Sequence, residues 1–345
     1  MKLVEFVPPV PHPLWKLCLQ MGITDVIVKV MGRDPAKVVA DLAAAGLRVV
    51  GFEGDMFDMS PIKECLGIRD QGSGVRDRAI EKYISYLELM GGLGIHLLCY
   101  NFMVGQGWSR TGVRGGRGGA KATYFSLREV EKLKVEKLNS SPTFQPFNPS
   151  TLKLSKEQVW ANYEYFIKAV MPTAEKFGIR MALHPDDPCL PELGGYARIF
   201  GSVEAYDRAY SIYPSESNAV TFCQANFKLM SSFAKATEDE GATQWLIDTA
   251  KHFGKRIAFI HVRDVEGDRT DFTELFHDQG TTDQFALMRT YRELGLDVPV
   301  RGDHVPEMEG DRLLAADSIP GYSTLGRLFA NGYLKALLKG TNFAP

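Results

Sequence analysis

Short, almost continuous apolar runs recur along the chain at residues 3–7, 25–30, 47–52, 95–100, 179–183, 219–223, 257–261 and 298–303. Mainly apolar, β-rich character over so few residues marks strands covered on both faces, as in a parallel sheet. Between the runs the apolar spacing changes to three and four. Asp34 followed by Pro35 predicts a helix start, Val38, Val39, Leu42 and Ala43 give that helix an inward face, and Gly46 ends it. Ile80, Tyr83, Ile84 and Leu87 repeat the spacing within 75–89. Ser155 with Gln158 forms a capping-box signature ahead of Val159, Trp160, Tyr163, Phe166, Ile167 and Val170. Further helical patterns cover 242–253, 282–294 and 324–338. Eight strands alternating with helices predict a single-domain (β/α)8 TIM barrel over residues 1–345, with an open doubly wound sheet as the alternative.

One stretch breaks the alternation. Residues 101–150 contain Gly112, Gly115, Gly116, Gly118 and Gly119, and a connection of that length is expected to be a long insertion after strand four. It reads as a substrate-covering lid or as a dimer contact. Its run Gly115-Gly116-Arg117-Gly118-Gly119-Ala120-Lys121 is a poor phosphate loop, because no strand precedes it directly and no Lys-Ser/Thr pair ends it.

The chemistry gathers where the late strands end. His184, Cys223, His261 and Asp303 each close a different apolar run, and in a barrel those carboxyl ends meet at one mouth. Any one of these residues alone reads as ordinary core. Four of them at four strand ends predict a single divalent cation. Zn²⁺ or Fe²⁺ suits the cysteine, whereas Mn²⁺ suits the carboxylate. His304, next to Asp303, is a candidate general acid or base, or else a support for its neighbour. Arg263 is a candidate fork for a substrate carboxylate, or an ion-pair partner of Asp264 or Asp186. Asp186 and Asp187 either orient His184 or stay solvated. His12, His96, His252 and His277 have no neighbouring chemistry and are expected to be structural.

Composition narrows the setting. A formal charge of −2 over 345 residues gives no attraction to nucleic acid or to an anionic membrane. No apolar run is long enough to span a bilayer. Five scattered cysteines without a CxxC, and an acid at Glu5 where a signal peptide is apolar, predict a cytoplasmic protein with free thiols.

At these residues the sequence resembles the D-mannonate dehydratase family. The resemblance rests on His184-Pro185-Asp186-Asp187-Pro188 with Arg198-Ile199, and on Cys99-Tyr100-Asn101-Phe102-Met103 with Trp108 and Arg110. It is carried further by Thr221-Phe222-Cys223, His261-Val262-Arg263-Asp264, Asp303-His304 and Pro320-Gly321-Tyr322 with Gly326-Arg327. The resemblance implies a barrel enzyme dependent on Mn²⁺ or Fe²⁺ that converts D-mannonate to 2-dehydro-3-deoxy-D-gluconate and water in hexuronate breakdown. It also implies a homodimer, with His184, Cys223, His261 and Asp303 as ligands and His304 and Tyr322 as proton-transfer residues. Asn101, Trp108 and Arg263 fall among the substrate-binding residues. The chain departs from the family pattern at 53–59, at 104–107 and at 224–226, all on loops expected to shape the sugar pocket. A metal-dependent isomerase or epimerase on the same fold, a dehydratase of another aldonic acid, and a binding protein without turnover are the alternatives.

Overall fold

The computed structural model describes residues 1–65, 74–105, 107–132, 154–231, 240–315 and 318–341. Its strands are β1 (Lys2–Leu3), β2 (Glu5–Val7), β3 (Asp25–Val28), β4 (Arg48–Glu53), β5 (Leu97–Tyr100), β6 (Gly112–Gly115), β7 (Lys121–Ser126) and β8 (Arg180–Leu183). They continue as β9 (Glu192–Leu193), β10 (Tyr196–Ala197), β11 (Asn218–Cys223), β12 (Ile257–Val262), β13 (Val265–Asp268), β14 (Asp271–Glu274) and β15 (Pro299–Gly302). One parallel sheet runs in the order β1-β15-β12-β11-β8-β5-β4-β3-β2. Its two edges, β1 and β2, are separated in the chain by Val4 alone, and Val4 N–H donates to Val300 O at 2.9 Å. The sheet therefore closes into the expected barrel, with its first strand split in two.

Helices cover the barrel. The cap at Asp34 forms, its Oδ1 accepting from the backbone of Ala36 and Lys37, and so does the capping box of Ser155 and Gln158. The long helix Lys156–Lys176 buries Trp160, Tyr163, Phe166 and Ile167 against Tyr100, Phe102 and Phe200. His12, expected to be structural, caps the helix Pro13–Gln20 by accepting from Leu14 N.

Two apolar layers result. The outer one lies between sheet and helices. The inner one fills the barrel with Val4, Ile27, Leu97, Cys99, Ala182, Ala219 and Phe259, the small alanines leaving room for the large ring. Strand residues alternate between these layers. The inward series runs Gly51–Glu53, Cys99–Asn101, Ala182–His184, Thr221–Cys223, Phe259–His261 and Arg301–Asp303, so every one of these strands carries a polar or metal-ligating type of residue at or just past its carboxyl end.

The described part of the expected insertion has a structure of its own. β6 and β7 form a hairpin, and β7 pairs with β14 in the four-stranded antiparallel sheet β13-β14-β7-β6. Gly118 and Gly119 take positive φ (64° and 85°) in the turn between β6 and β7, which accounts for the glycines there. Residues 133–150 of the expected lid lie outside the described residues. Phe125, Phe272, Val265, Leu190, Leu193, Ala225 and Leu229 pack this sheet onto the barrel mouth.

Gly51 shows how tight the inner layer is. A Cβ there would meet Ile27 Cδ1 at 2.9 Å and Leu97 Cβ at 3.0 Å. Gly51→Val is expected to cost about 1–3 kcal/mol through overpacking, read as a lowered midpoint in thermal or urea unfolding. An unchanged midpoint would show that the layer yields more easily than these distances allow.

Candidate metal centre and active site

The inward ends of four strands bring the four expected ligands together. One ligand atom each from His184, Cys223, His261 and Asp303 lies within 4.8 Å of every other. Strand register accounts for this. Cys223 pairs with His261 between β11 and β12, and Asp303 N–H donates to Val262 O just beyond the end of β15. His184 N–H donates to Tyr100 O at 2.7 Å, which fixes the fourth corner.

The donor set fits a cation. His184 Nδ1 lies 2.8 Å from Pro185 O, so that nitrogen carries the proton and Nε2 keeps its lone pair. Both ring nitrogens of His261 are buried without a hydrogen-bond partner among the described residues, with Asp303 Oδ2 at 3.6 Å and Glu53 Oε2 at 3.7 Å. Asp303 Oδ1 is 3.0 Å from Arg301, in ion-pair but not hydrogen-bond geometry. Buried polar atoms left in this way are costly unless something else satisfies them. Burial lowers the imidazole of His184 to about 4 and that of His261 well below its usual range, so both rings are neutral at neutral pH, as ligands must be. Burial pushes the Cys223 thiol up to about 12, Arg263 drawing it back only in part. Burial also opposes the charge on Asp303, but His304 and Arg301 overcome it and hold the carboxyl well below its normal value. Glu53, Cys99 and His261 form an overlapping group. There Glu53 is paired with Arg301 at 2.6 Å, and burial holds the Cys99 thiol protonated, which makes it the weaker donor set.

Behind the ligands lies a buried cluster of charges. Arg110 donates to Asp187 Oδ1 at 2.6 Å and to Glu274 Oε1 at 2.6 Å. Arg263 donates to Glu274 Oε2 and Oε1, both at 2.7 Å, and to Asp187 Oδ2 at 3.0 Å. All four side chains are at most 1% exposed. Arg263 thus has partners other than a substrate carboxylate, Asp264 or Asp186. It also donates to Asn226 Oδ1 at 2.8 Å and passes 3.6 Å from Cys223 Sγ, where its charge favours the thiolate. Asp187 is not solvated but belongs to this cluster. Asp186 is buried too, accepting from Phe200 N–H and facing Arg198.

His304 stands between the cluster and the cavity. Its Nδ1 is 3.2 Å from Glu274 Oε1, and its Nε2 is 3.1 Å from the Tyr322 hydroxyl. Arg110 Nη2, a donor only, also lies 3.2 Å from Nδ1, so the network admits either tautomer; the one in which Nδ1 donates to Glu274 leaves Nε2 as the basic atom. The loop after β15 is tied down by a bridge between Lys121 and Glu307 and by Val305 N–H donating to Gly321 O. Trp108 packs against His304 and Tyr322 with ring centroids 5.0 and 6.0 Å away, and its buried indole N–H has no partner among the described residues.

These groups enclose a chamber of about 100 Å³ lined by His184, Asp303, His304, Tyr322, Asn101 and Trp108 among others. It adjoins an open cleft of about 1440 Å³. The expected His304, Tyr322, Asn101 and Trp108 therefore meet at one cavity with His184 and Asp303, two of the four expected ligands. Glu53, Arg301 and Glu274 were not foreseen. Counting by twos from Gly51 and Phe259 along β4 and β12 finds Glu53 and places Arg301 beside His261, whereas nothing local marks Glu274.

The buried charges make stability depend on pH. Burial raises the Glu274 carboxyl, but Arg263 and Arg110 outweigh it and bring it down to about 2. A depressed carboxyl stabilises the fold fully above its unfolded value near 4.5 and loses that contribution as pH falls through about 2. Glu274→Gln is expected to cost roughly 3–5 kcal/mol at neutral pH, as removal of one buried partner does. The gap between wild type and variant should narrow as denaturant titrations move from pH 5 towards pH 2. A gap independent of pH would contradict this account.

Comparison with known proteins agrees with the site. The family model described as D-mannonate dehydratase (UxuA) matches residues 47–343. A mannonate dehydratase of Brachyspira hyodysenteriae is 30% identical over 327 residues, covering 88% of this chain and 85% of its own. The crystal structure of mannonate dehydratase from Streptococcus suis serotype 2 superposes with a TM-score of 0.79 at 24% identity, covering 99% of this chain and 95% of that one. A D-tagatose 3-epimerase-like protein shares the barrel alone, with a TM-score of 0.58 at 12% identity. A family model spanning most of the sequence, joined to a relative similar over nearly its whole length, places this chain in the D-mannonate dehydratase family of hydro-lyases.

Proposed function

We propose that this protein removes water from D-mannonate to give 2-dehydro-3-deoxy-D-gluconate, using one Mn²⁺ or Fe²⁺ held by His184, Cys223, His261 and Asp303. The observation that carries the reading is the pairing of His304 Nε2 with the Tyr322 hydroxyl at 3.1 Å, on a cavity wall shared with Asp303 and His184. A dehydration needs both a base and an acid at that place.

The C2 proton of a 2,3-dihydroxy acid is weakly acidic because an ionised carboxylate is its neighbour, and its removal leaves an enediolate. The cation, when bound, supplies the positive charge that makes such a dianion accessible. His304 takes the C2 proton at Nε2, its ring held by Glu274 at Nδ1. Burial and the charge of Asp303 push the Tyr322 phenol upward, so it stays protonated and suits the opposite task, protonating the departing C3 hydroxyl. The proton gained by His304 returns to Tyr322 across their contact, and the enol tautomerises to the 2-keto-3-deoxy acid. Arg263 and Arg110 act one contact behind, by holding Glu274. Asn101 and Trp108 line the remaining wall and are assigned to the substrate hydroxyls. The reading extends to a cytoplasmic homodimer of hexuronate breakdown. Five free cysteines and the lack, among the described residues, of a helix able to span a membrane are compatible with it.

Metal-stripped protein is expected to be inactive on D-mannonate and to regain turnover with Mn²⁺ or Fe²⁺, the 2-keto-3-deoxy product being followed directly. An epimer or ketose as the product would instead assign an isomerase. His304→Gln should lower turnover by about 10²–10⁴-fold and abolish exchange of the C2 proton into deuterated water. Exchange at the wild-type rate would remove His304 from the role of base.

A further inference from the structure

Carbons held near the four ligands occupy the small chamber, and the rest of a sugar acid must leave through the wall shared with the large cleft. That wall includes Gly54, Asn101, Met103, Trp108 and Tyr322. Asp55 and Lys63 lie next along this path, lining the cleft but not the chamber.

The three polar residues on this path are joined. Lys63 Nζ donates to Asp55 Oδ1 and Oδ2 at 3.0 and 2.9 Å and to Asn101 Oδ1 at 3.0 Å. A buried ammonium thus binds a residue of the cleft to a residue of the chamber. Asn101 Oδ1 also accepts from Met103 N–H, which fixes the orientation of the amide. Its Nδ2 has no hydrogen-bond partner among the described residues, leaving two donors for a ligand. The Asp55 side chain is 30% exposed where that of Lys63 is 4%, so the carboxylate keeps lone pairs towards the cleft. The cluster sits on a firm base, because Asn162 of the helix Lys156–Lys176 donates to the backbone oxygens of Lys63 and Cys65 at 3.1 and 2.8 Å.

A carboxylate acceptor beside an amide donor complements neighbouring hydroxyls, each of which donates and accepts. Lys63 neutralises Asp55 within this cluster, so a second carboxylate or a phosphate placed against it meets the free edge of Asp55, which repels either. We propose that Asp55, Lys63 and Asn101 form a subsite for the uncharged, hydroxyl-bearing tail of the substrate. Asp55 and Asn101 contact the hydroxyls there, and Lys63 positions both. The inference rests on the dehydratase reading and concerns which acid is chosen, not how the C2 proton is removed.

The test compares metal-loaded wild type with Asp55→Asn and Lys63→Met on three acids. These are D-mannonate, a four-carbon acid of the same C2 and C3 configuration, and the six-carbon diacid carrying a carboxylate in place of the terminal alcohol. Wild type should prefer D-mannonate to the four-carbon acid in kcat/KM. Each variant should shrink that preference by about ten- to a hundredfold, as loss of hydrogen bonds to substrate hydroxyls does. Asp55→Asn should also raise the diacid relative to D-mannonate. Bound metal per chain and the unfolding midpoint report whether a variant is folded. Equal losses on all three acids in a folded variant would overturn the subsite, as would a wild type that accepts the diacid as readily as the monoacid. Absence of turnover by wild type on every acid would reject the dehydratase reading instead, which separates the two failures.

Discussion

Two guanidinium groups and two carboxylates share one buried space, and the arrangement of the mouth depends on them. Removing four charges from water costs several kcal/mol each unless hydrogen bonds replace the lost hydration. Here the replacement is extensive, since Arg110 and Arg263 both span Asp187 and Glu274. The four residues come from the segment after β5, the turn after β8, the end of β12 and the end of β14. Satisfying them therefore fixes four separate pieces of chain at once. A displacement of any one would leave a buried charge unpaired, at a cost of several kcal/mol.

Placed this way, the cluster also sets the electrostatics of the centre. Its formal charges cancel, so it does not by itself repel an incoming cation. Arg263 nonetheless passes close enough to Cys223 to favour the thiolate, while burial keeps the thiol protonated until something replaces the proton. Glu274 and Arg110 both face His304 Nδ1, which leaves Nε2 turned to Tyr322. The antiparallel sheet at the mouth thus has a definite task. It is the mount that brings Glu274, on β14, behind His304 and Tyr322, and its neighbouring strand β7 ties back to the loop after β15 through Lys121 and Glu307.

Much of the site was legible because a barrel strand is a ruler with a period of two. Cys223 follows Thr221 and His261 follows Phe259 on the inward side, and both were found as polar endings of apolar runs. The same count reaches Glu53 from Gly51. Arg263 was visible as a residue, yet its partners were not. Asp264 is its neighbour in the chain, but that carboxylate turns away to Lys228 at 2.5 Å. Glu274, which Arg263 does bind, stands in a polar hairpin whose local pattern resembles any exposed turn. From Arg110 it is separated by 164 residues.

What the sequence alone determined is the barrel, its helical cover and the four strand ends that carry His184, Cys223, His261 and Asp303. These follow from local periodicity and from the convergence that closing a parallel sheet imposes on its carboxyl ends. Only the tertiary structure decided that Arg263 serves Glu274, that Asp187 is buried, that the glycine-rich run is a hairpin turn, and that Asp55 and Asn101 meet through Lys63. Those choices pair charged groups far apart in the chain. A charge carries no periodicity, and its partner is settled only by which opposite group the folded backbone leaves within reach in a space that excludes water.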